Sequence, residues 1–289
     1  MPVRADLPRF QAALIGWYGP RARPLRIRTT RDPWAILVSE VMAQQTQIAR
    51  VDEAWVRFMA RFPTPGPLAD ASPGEVLRAW AGLGYNRRAL NLQRAAATIE
   101  EVHHGSVPPS LEELEALPGV GPYTARAVAA IAFGQAVAAV DTNVRRVVTR
   151  VVGEELTPLQ LQETADVLVP PDDPATWTHA SMELGATVCL ARDPRCDACP
   201  VAAWCVSAGA VESPPRRSVS AEPAFESTTR WLRGRIIERL RALQDGAWET
   251  LPAPIGAHDA DAIESALAAL QREGMVERRS DGAVRLPSQ

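Results

Sequence analysis

The chain contains four cysteines, Cys189, Cys196, Cys199 and Cys205, and all lie in one short segment spaced C-x6-C-x2-C-x5-C. Four thiolates this close in sequence can ligate a single metal centre. One C-x2-C step flanked by single cysteines at unequal range suits a [4Fe-4S] cube, each corner of which takes one sulfur. A structural zinc also takes four thiolates but usually draws on two C-x2-C pairs; it is the alternative. Two local disulfides come after it, because they require an oxidising compartment. Met1 to Gly19 does not suggest export, since Arg4, Asp6 and Arg9 interrupt any apolar run of leader type.

Other residues have chemistry-bearing types and spacings. Asp141, in Val140-Asp141-Thr142-Asn143-Val144, follows a nearly continuous apolar stretch. It can N-cap the next helix, present a partly desolvated anion to a ligand, or do both. Glu40, Gln44 and Gln47 stand at i, i+4 and i+7, which would place them on one face of a long helix. A polar stripe is the usual meaning of that spacing, although amides can also read base edges or fill a gap in a base stack. Gly119-Val120-Gly121 would leave backbone N–H groups at a helix N-terminus, where a phosphate oxygen binds without side chains. Arg126, Arg145, Arg146 and Arg150 follow and could add positive charge.

Helices must position these groups. Asp32-Pro33 reads as an N-cap followed by proline at the first helical position, opening a helix that buries Ile36, Leu37 and Val41. Ser72-Pro73-Gly74-Glu75 is a capping box ahead of Val76, Leu77 and Trp80, and Ser110-Leu111-Glu112-Glu113 repeats the device. Leu117 to Pro122 reads as a tight hairpin between two helices. Helical patterning returns from Gln160 to Thr187. After a Pro-, Ser- and Arg-rich stretch the character changes. Helices over Thr228–Leu243 and Asp259–Glu273, a short strand at Trp248–Leu251 and a hairpin turning at Ser280-Asp281-Gly282 describe a winged helix.

Composition sets the outer limits. Of 289 residues, 46% are hydrophobic and only 6% aromatic, which suits an Ala/Leu/Val helical core large enough for two lobes. Ala127–Phe133 is the longest apolar run, far short of a membrane span, so a soluble, cytoplasmic chain is expected. Net charge is −3, so binding to nucleic acid needs a local basic patch. All 31 basic residues are arginine. No side-chain amine is therefore available for Schiff-base chemistry, which leaves the N-terminal amine.

Ser39-Glu40-Val41-Met42-Ala43-Gln44-Gln45-Thr46-Gln47, Gly82-Leu83-Gly84-Tyr85, Leu117–Thr124, Val140–Arg146 and Met182–Cys205 stand in a telling order. Together they resemble the MutY-type A/G-specific adenine DNA glycosylases, of the helix-hairpin-helix superfamily that includes endonuclease III. The match runs over about residues 8–206. It implies a mainly α, two-lobed fold over 1–206 with an iron-sulfur loop at 189–205 and with DNA and a flipped base in the cleft between lobes; beyond the match, the patterning itself reads as a linker over 207–227 and a small α+β winged-helix module over 228–289.

The resemblance also assigns roles. It implies Glu40 as the catalytic acid and Asp141 as the carboxylate that stabilises the sugar cation, with Tyr123 and Asn143 beside them. Tyr123 stands where endonuclease III-type enzymes carry a lyase lysine, so a monofunctional glycosylase is expected. Arg28, Ala43 and Glu183 would recognise the base. Gln44, Gln45, Thr46, Tyr85, Gly119, Val120, Gly121 and Arg145 would bind DNA, with Gln44 filling the vacated stack. The cysteines would hold a [4Fe-4S] cluster that orders a loop carrying Arg192 and Arg195. The implied partner is duplex DNA with a mismatched or damaged base, bound by a monomer at the nucleoid.

Two departures from the family pattern bear on the target base. Leu25-Arg26-Ile27-Arg28 stands where MutY-type sequences read Leu-Pro-Trp-Arg, and Ala43 replaces the usual leucine. Both remove bulk from the implied base pocket. The winged helix stands where a Nudix-like 8-oxoguanine reader is usual, with Arg278, Arg279 and Arg285 available to DNA. Glycosylases for mismatched thymine or uracil or for hypoxanthine, and a non-catalytic DNA-binding regulator that senses redox state, are the competing readings.

Overall fold

The computed structural model describes residues 2–211 and 224–288. Most of the linker expected over 207–227 lies outside the described residues. Fourteen α-helices occur among the described residues. They are α1 (Pro2–Ala5), α2 (Leu7–Tyr18), α3 (Pro33–Ala43), α4 (Ile48–Arg61), α5 (Pro65–Asp70), α6 (Pro73–Ala79), α7 (Arg87–His103), α8 (Leu111–Ala116), α9 (Pro122–Phe133), α10 (Thr142–Val152), α11 (Pro158–Leu168), α12 (Pro174–Thr187), α13 (Thr229–Arg241) and α14 (Ala260–Arg272). Strands β1 (Glu277–Arg278) and β2 (Val284–Arg285) pair antiparallel. None of the helices is long and apolar enough to cross a membrane.

The caps read from sequence form. Asp32 Oδ1 accepts from Ala35 N at 2.7 Å, Ser72 and Glu75 complete a reciprocal capping box, and Ser110 Oγ accepts from Glu113 N. The segment from Gln160 to Thr187 is two helices, α11 and α12, because Pro170 and Pro171 cannot continue a helical ladder. The turn at 280–282 is a three-residue loop. Arg279 N donates to Ala283 O, Gly282 N to Arg279 O, and Gly282 takes φ +84°. Glu249 pairs with Val284 through both backbone bonds, so the expected strand at 248–251 contributes a single bridge.

The chain forms two compact units, and their boundary falls inside α3, between Glu40 and Val41. The first holds the described residues up to Glu40, Pro108–Ala116, and Val120 to 211. Its core is built on α10, whose valines 144, 147, 148 and 151 recur at helical spacing and pack with Phe10, Leu14, Leu161, Trp177 and Leu184. Trp177 and Trp204 flank the Phe10 ring at 5.8 and 6.1 Å, and Trp204 donates to Asp6, which ties the cysteine segment to α2.

The second unit holds Val41–Val107, Leu117–Gly119 and 224–288. Leu77 and Leu90 share one core with Leu232, Ile236 and Leu240 of α13 and Ile263, Leu267 and Leu270 of α14. The C-terminal module is thus packed onto α6 and α7. Gly74 N donates to Pro287 O at 2.8 Å, and a Cβ at residue 74 would stand 2.5 Å from that oxygen, so only glycine fits.

The expected polar face of Glu40, Gln44 and Gln47 does not form. Helix α3 ends at Ala43, Gln45 takes a left-handed φ of +55°, and Gln47 already N-caps α4. The cause is Arg88, a buried guanidinium that collects the carbonyls the helix end leaves unpaired. Its Nη1 donates to Val41 O and Met42 O at 2.8 Å, and its Nη2 donates to Thr46 Oγ1 at 2.9 Å. Burial lowers the Arg88 pKa to about 10, which leaves it charged at neutral pH.

Candidate active site

Glu40, Tyr123, Asp141 and Asn143 all belong to the first unit, and the structure brings them together. Glu40 lies on α3, eight residues after the Asp32 cap, and is the last residue of that helix in this unit. It keeps some solvent access, yet burial pushes its carboxyl up to about 7. The hydrogen bond from Tyr123 pulls the other way, the Asp141 charge adds to the rise, and Arg28 lowers it. Burial together with the Glu40 and Asp141 charges raises the Tyr123 phenol well above its ordinary value.

Asp141 is the N-cap of α10. Its Oδ1 accepts from Val144 N at 2.7 Å and its Oδ2 accepts from Asn143 Nδ2 at 2.9 Å. Capping and anion presentation therefore coexist in one side chain. Asn143 is held in turn, since its Oδ1 accepts from Arg146 Nη2 at 2.8 Å. Arg146 also donates to Gly185 O and Cys189 O. A Cβ at Gly185 would stand 2.5 Å from Asn143 Cβ, so glycine is what lets α12 approach α10 this closely.

Glu183 is 98% buried and forms the second polar group of this unit. Arg23 grips it with a fork, Nε to Oε1 at 2.8 Å and Nη2 to Oε2 at 2.9 Å, and Arg28 Nη2 donates to Oε2 at 2.9 Å. Burial pushes Glu183 up, but the hydrogen bonds and charges of Arg23 and Arg28 outweigh it and hold the carboxyl below its ordinary value. Arg28 Nη1 is buried and has no hydrogen-bond partner among the described residues. An unpaired buried donor is costly in the free protein and suited to an incoming acceptor. The Arg28 guanidinium lies 5.7 Å from the Tyr18 ring, which stacks on His179. Burial, with help from Arg28 and Arg31, lowers His179 to about 4, so it is neutral at pH 7.

The four cysteines are free of disulfides and line one small cavity with Arg150 and Arg195. Among the described residues, no three His, Cys, Asp or Glu side chains close to single-ion ligand distance. Arg150 Nη1 lies 3.3 Å from Cys189 Sγ and donates to Leu190 O. Burial pushes Cys199 up to about 11 and also raises Cys205. A positive partner is what would let such thiols ionise, and four of them around one cavity fit the corners of a cubane cluster.

The remaining expected residues are placed as follows. Ala43, Gln44, Gln45, Thr46, Tyr85 and Gly119 belong to the second unit. Gly119 takes φ +81°, with no room for a Cβ against Asn91, and Gly121 caps α9 with open space at its Cβ position. Val120 is buried, and its contribution to any ligand is through its backbone. Of the arginines expected to add charge, Arg126 pairs with Asp166 and Arg146 and Arg150 point to the cysteine segment, which leaves Arg145 exposed. Sequence reasoning missed Arg23, Tyr18, His179, Gly185 and the structural role of Arg88. Only Gly185 stood in a recognised run, Met182–Ala186.

A family model described as HhH-GPD superfamily base excision DNA repair protein matches residues 38–171. The adenine DNA glycosylase of Mycobacterium tuberculosis is 43% identical over 96% of this chain and 93% of that protein. Among solved structures, a thermostable thymine-DNA glycosylase is similar with a TM-score of 0.67 at 27% identity, covering 71% of this chain and 98% of the other. Endonuclease III in a non-covalent complex with DNA gives 0.60 at 27% identity, covering 71% and 94%.

Proposed function

Because the chain belongs to the adenine DNA glycosylases of the helix-hairpin-helix base excision repair superfamily, we propose that it hydrolyses the N-glycosidic bond of adenine opposite 8-oxoguanine or guanine in duplex DNA. The observation that carries this reading is the pairing of unlike carboxyls in one unit. Glu40 has a pKa of about 7, whereas Asp141 is wrapped by donors suited to an anion.

The target nucleotide first leaves the stack, at a cost of a few kcal/mol. Protonated Glu40 then donates to the purine N7, which makes the base a better leaving group. The Asp141 carboxylate stabilises the sugar cation as the bond breaks, following the two-carboxylate logic of glycoside hydrolysis. Tyr123 holds Glu40 and lies in the field of both acids. Water completes the reaction and leaves an abasic site. Since the chain has no lysine, a Schiff base on a side-chain amine is unavailable, and base release without lyase cleavage is expected. Arg28 Nη1 and Glu183 offer a donor beside an acceptor, a pattern that complements the N1 and N6 edge of adenine.

Cys189, Cys196, Cys199 and Cys205 would hold a [4Fe-4S] cluster, which when bound orders its loop. Iron and sulfide analysis tests this: about four of each per chain is expected, and one zinc without sulfide would overturn it. The substrate assignment is tested with duplexes carrying A:8-oxoG, A:G, T:G, U:G and hypoxanthine. Fastest release from A:8-oxoG is expected. Release of thymine with none from A:8-oxoG or A:G would replace adenine with the reading that the thymine-DNA glycosylase likeness favours.

A further inference from the structure

The basic hairpin of the C-terminal module was the expected DNA contact, but two of its three arginines are matched to carboxylates within the module and the third lies over a tryptophan ring. Arg278 makes a fork with Glu264 at 2.8 and 2.7 Å, Arg285 pairs with Glu277 at 2.6 Å, and Arg279 lies over the Trp248 ring at 4.7 Å. A guanidinium already matched to a carboxylate gains little by exchanging it for a phosphate.

Arg230, like Arg279, is exposed and pairs with no carboxylate among the described residues, but it stands in the first turn of α13 against an exposed tyrosine outside the module. Its Nη1 donates to the Tyr85 hydroxyl at 3.0 Å, and its guanidinium carbon lies 5.4 Å from that ring's centroid. Tyr85 is 42% exposed and is held at a left-handed φ of +44°. The Arg88 guanidinium lies 5.5 Å from the same ring, and Arg88 also fixes the loop of Gln44 and Thr46. An exposed aromatic ring next to a guanidinium that no carboxylate neutralises is a pairing that nucleic acids bind through, the ring under a base and the cation on a phosphate.

The placement is built in. Arg241 donates to Leu77 O at 2.7 Å and to Asn86 Oδ1 at 2.8 Å, beside Tyr85 in sequence, and Arg78 pairs with Asp245. With the shared core of Leu77, Leu90, Leu232 and Ile236, these contacts fix the start of α13 against the Tyr85 turn. Arg230 is therefore presented in a set position.

We propose that the C-terminal module is part of the DNA-binding surface through Arg230, which contacts a backbone phosphate next to the nucleotide that stacks on Tyr85. This rests on the reading that the chain acts on duplex DNA. The module then acts by strengthening DNA binding, with the bond-breaking step left to the other unit.

The test measures binding of the full chain to an undamaged duplex across a salt series, so that it does not depend on which base is released. Arg230→Ala should weaken binding about 3- to 10-fold at physiological salt and lower the slope of log K against log salt by about one, as loss of one phosphate contact requires. Arg230→Lys should retain the slope, and Arg278→Ala should change neither quantity. Unchanged affinity and slope in Arg230→Ala, or a larger effect from Arg278→Ala, would overturn the proposal. If wild type binds duplex but releases no adenine, the substrate reading fails and this one stands. A shared fall in melting temperature without a slope change would mark Arg230 as structural and overturn the proposal too.

Discussion

The Tyr123 hydroxyl lies 3.7 Å from Met182 Sδ, and its hydrogen bonding with the Glu40 carboxyl lowers the pKa of that acid. The bond orients the acid without neutralising the effect of burial, which is the larger influence on Glu40. With its pKa near 7, Glu40 is protonated on the acid side of neutrality and loses its proton as pH rises. Single-turnover base release is expected to fall along one basic limb centred near pH 7. A rate independent of pH between about 6 and 9 would show that Glu40 is not the proton donor.

The same shift has a stability consequence. A carboxyl whose folded pKa lies above its unfolded value binds more protons folded than unfolded, so stability declines as pH rises from about 4.5 to about 7 and is flat beyond. Glu40→Gln removes that dependence. The variant should gain on wild type by about 1–3 kcal/mol between pH 5 and pH 8. A Tm difference that does not change with pH would contradict this.

Arg23 and Arg28 share Glu183, but Arg23 supplies the two-pronged grip. The Arg23 side chain is 42% exposed but that of Glu183 only 2%, so losing Arg23 leaves a buried carboxylate with fewer donors and should cost about 1–3 kcal/mol. Arg23→Ala frees Glu183 to turn on the remaining bond to Arg28. A roughly 10-fold drop in base release is expected, with a modest fall in Tm and incomplete rescue of release by Arg23→Lys, which cannot form the fork. Unaltered base release in Arg23→Ala would remove Arg23 from the positioning of the site.

The caps at Asp32 and Ser72, the helical periodicity of α10 and the four clustered cysteines were legible in the sequence because each depends on residues close in sequence. Glu40 and Asp141 were expected to act together from the motif resemblance alone, and both lie in one unit. The end of α3 was not legible. It is set by Arg88, 45 residues beyond Ala43, whose guanidinium has no sequence mark that separates it from any surface arginine. Arg23 escaped for a similar reason, since its partner Glu183 is 160 residues away. Arg278 and Arg285 misled because their carboxylate partners, Glu264 and Glu277, are visible only once the module is folded.

Gly185 of α12 faces Asn143 of α10 with no room for a Cβ. Gly185→Ala would force a Cβ to within 2.5 Å of Asn143 Cβ and 3.1 Å of its backbone. Relief requires moving Asn143 away from Asp141. A loss of about 1–3 kcal/mol in stability is expected, together with slower base release. Wild-type Tm and wild-type release would mean that the two helices separate freely here.

Base release by Glu40→Gln and Asp141→Asn, measured under single-turnover conditions on an A:8-oxoG duplex alongside duplex affinity, tests the division of labour between the two carboxyls most directly. Each variant should bind within a few-fold of wild type and lose release by about 1000-fold or more. Near-wild-type release by either variant would contradict the account.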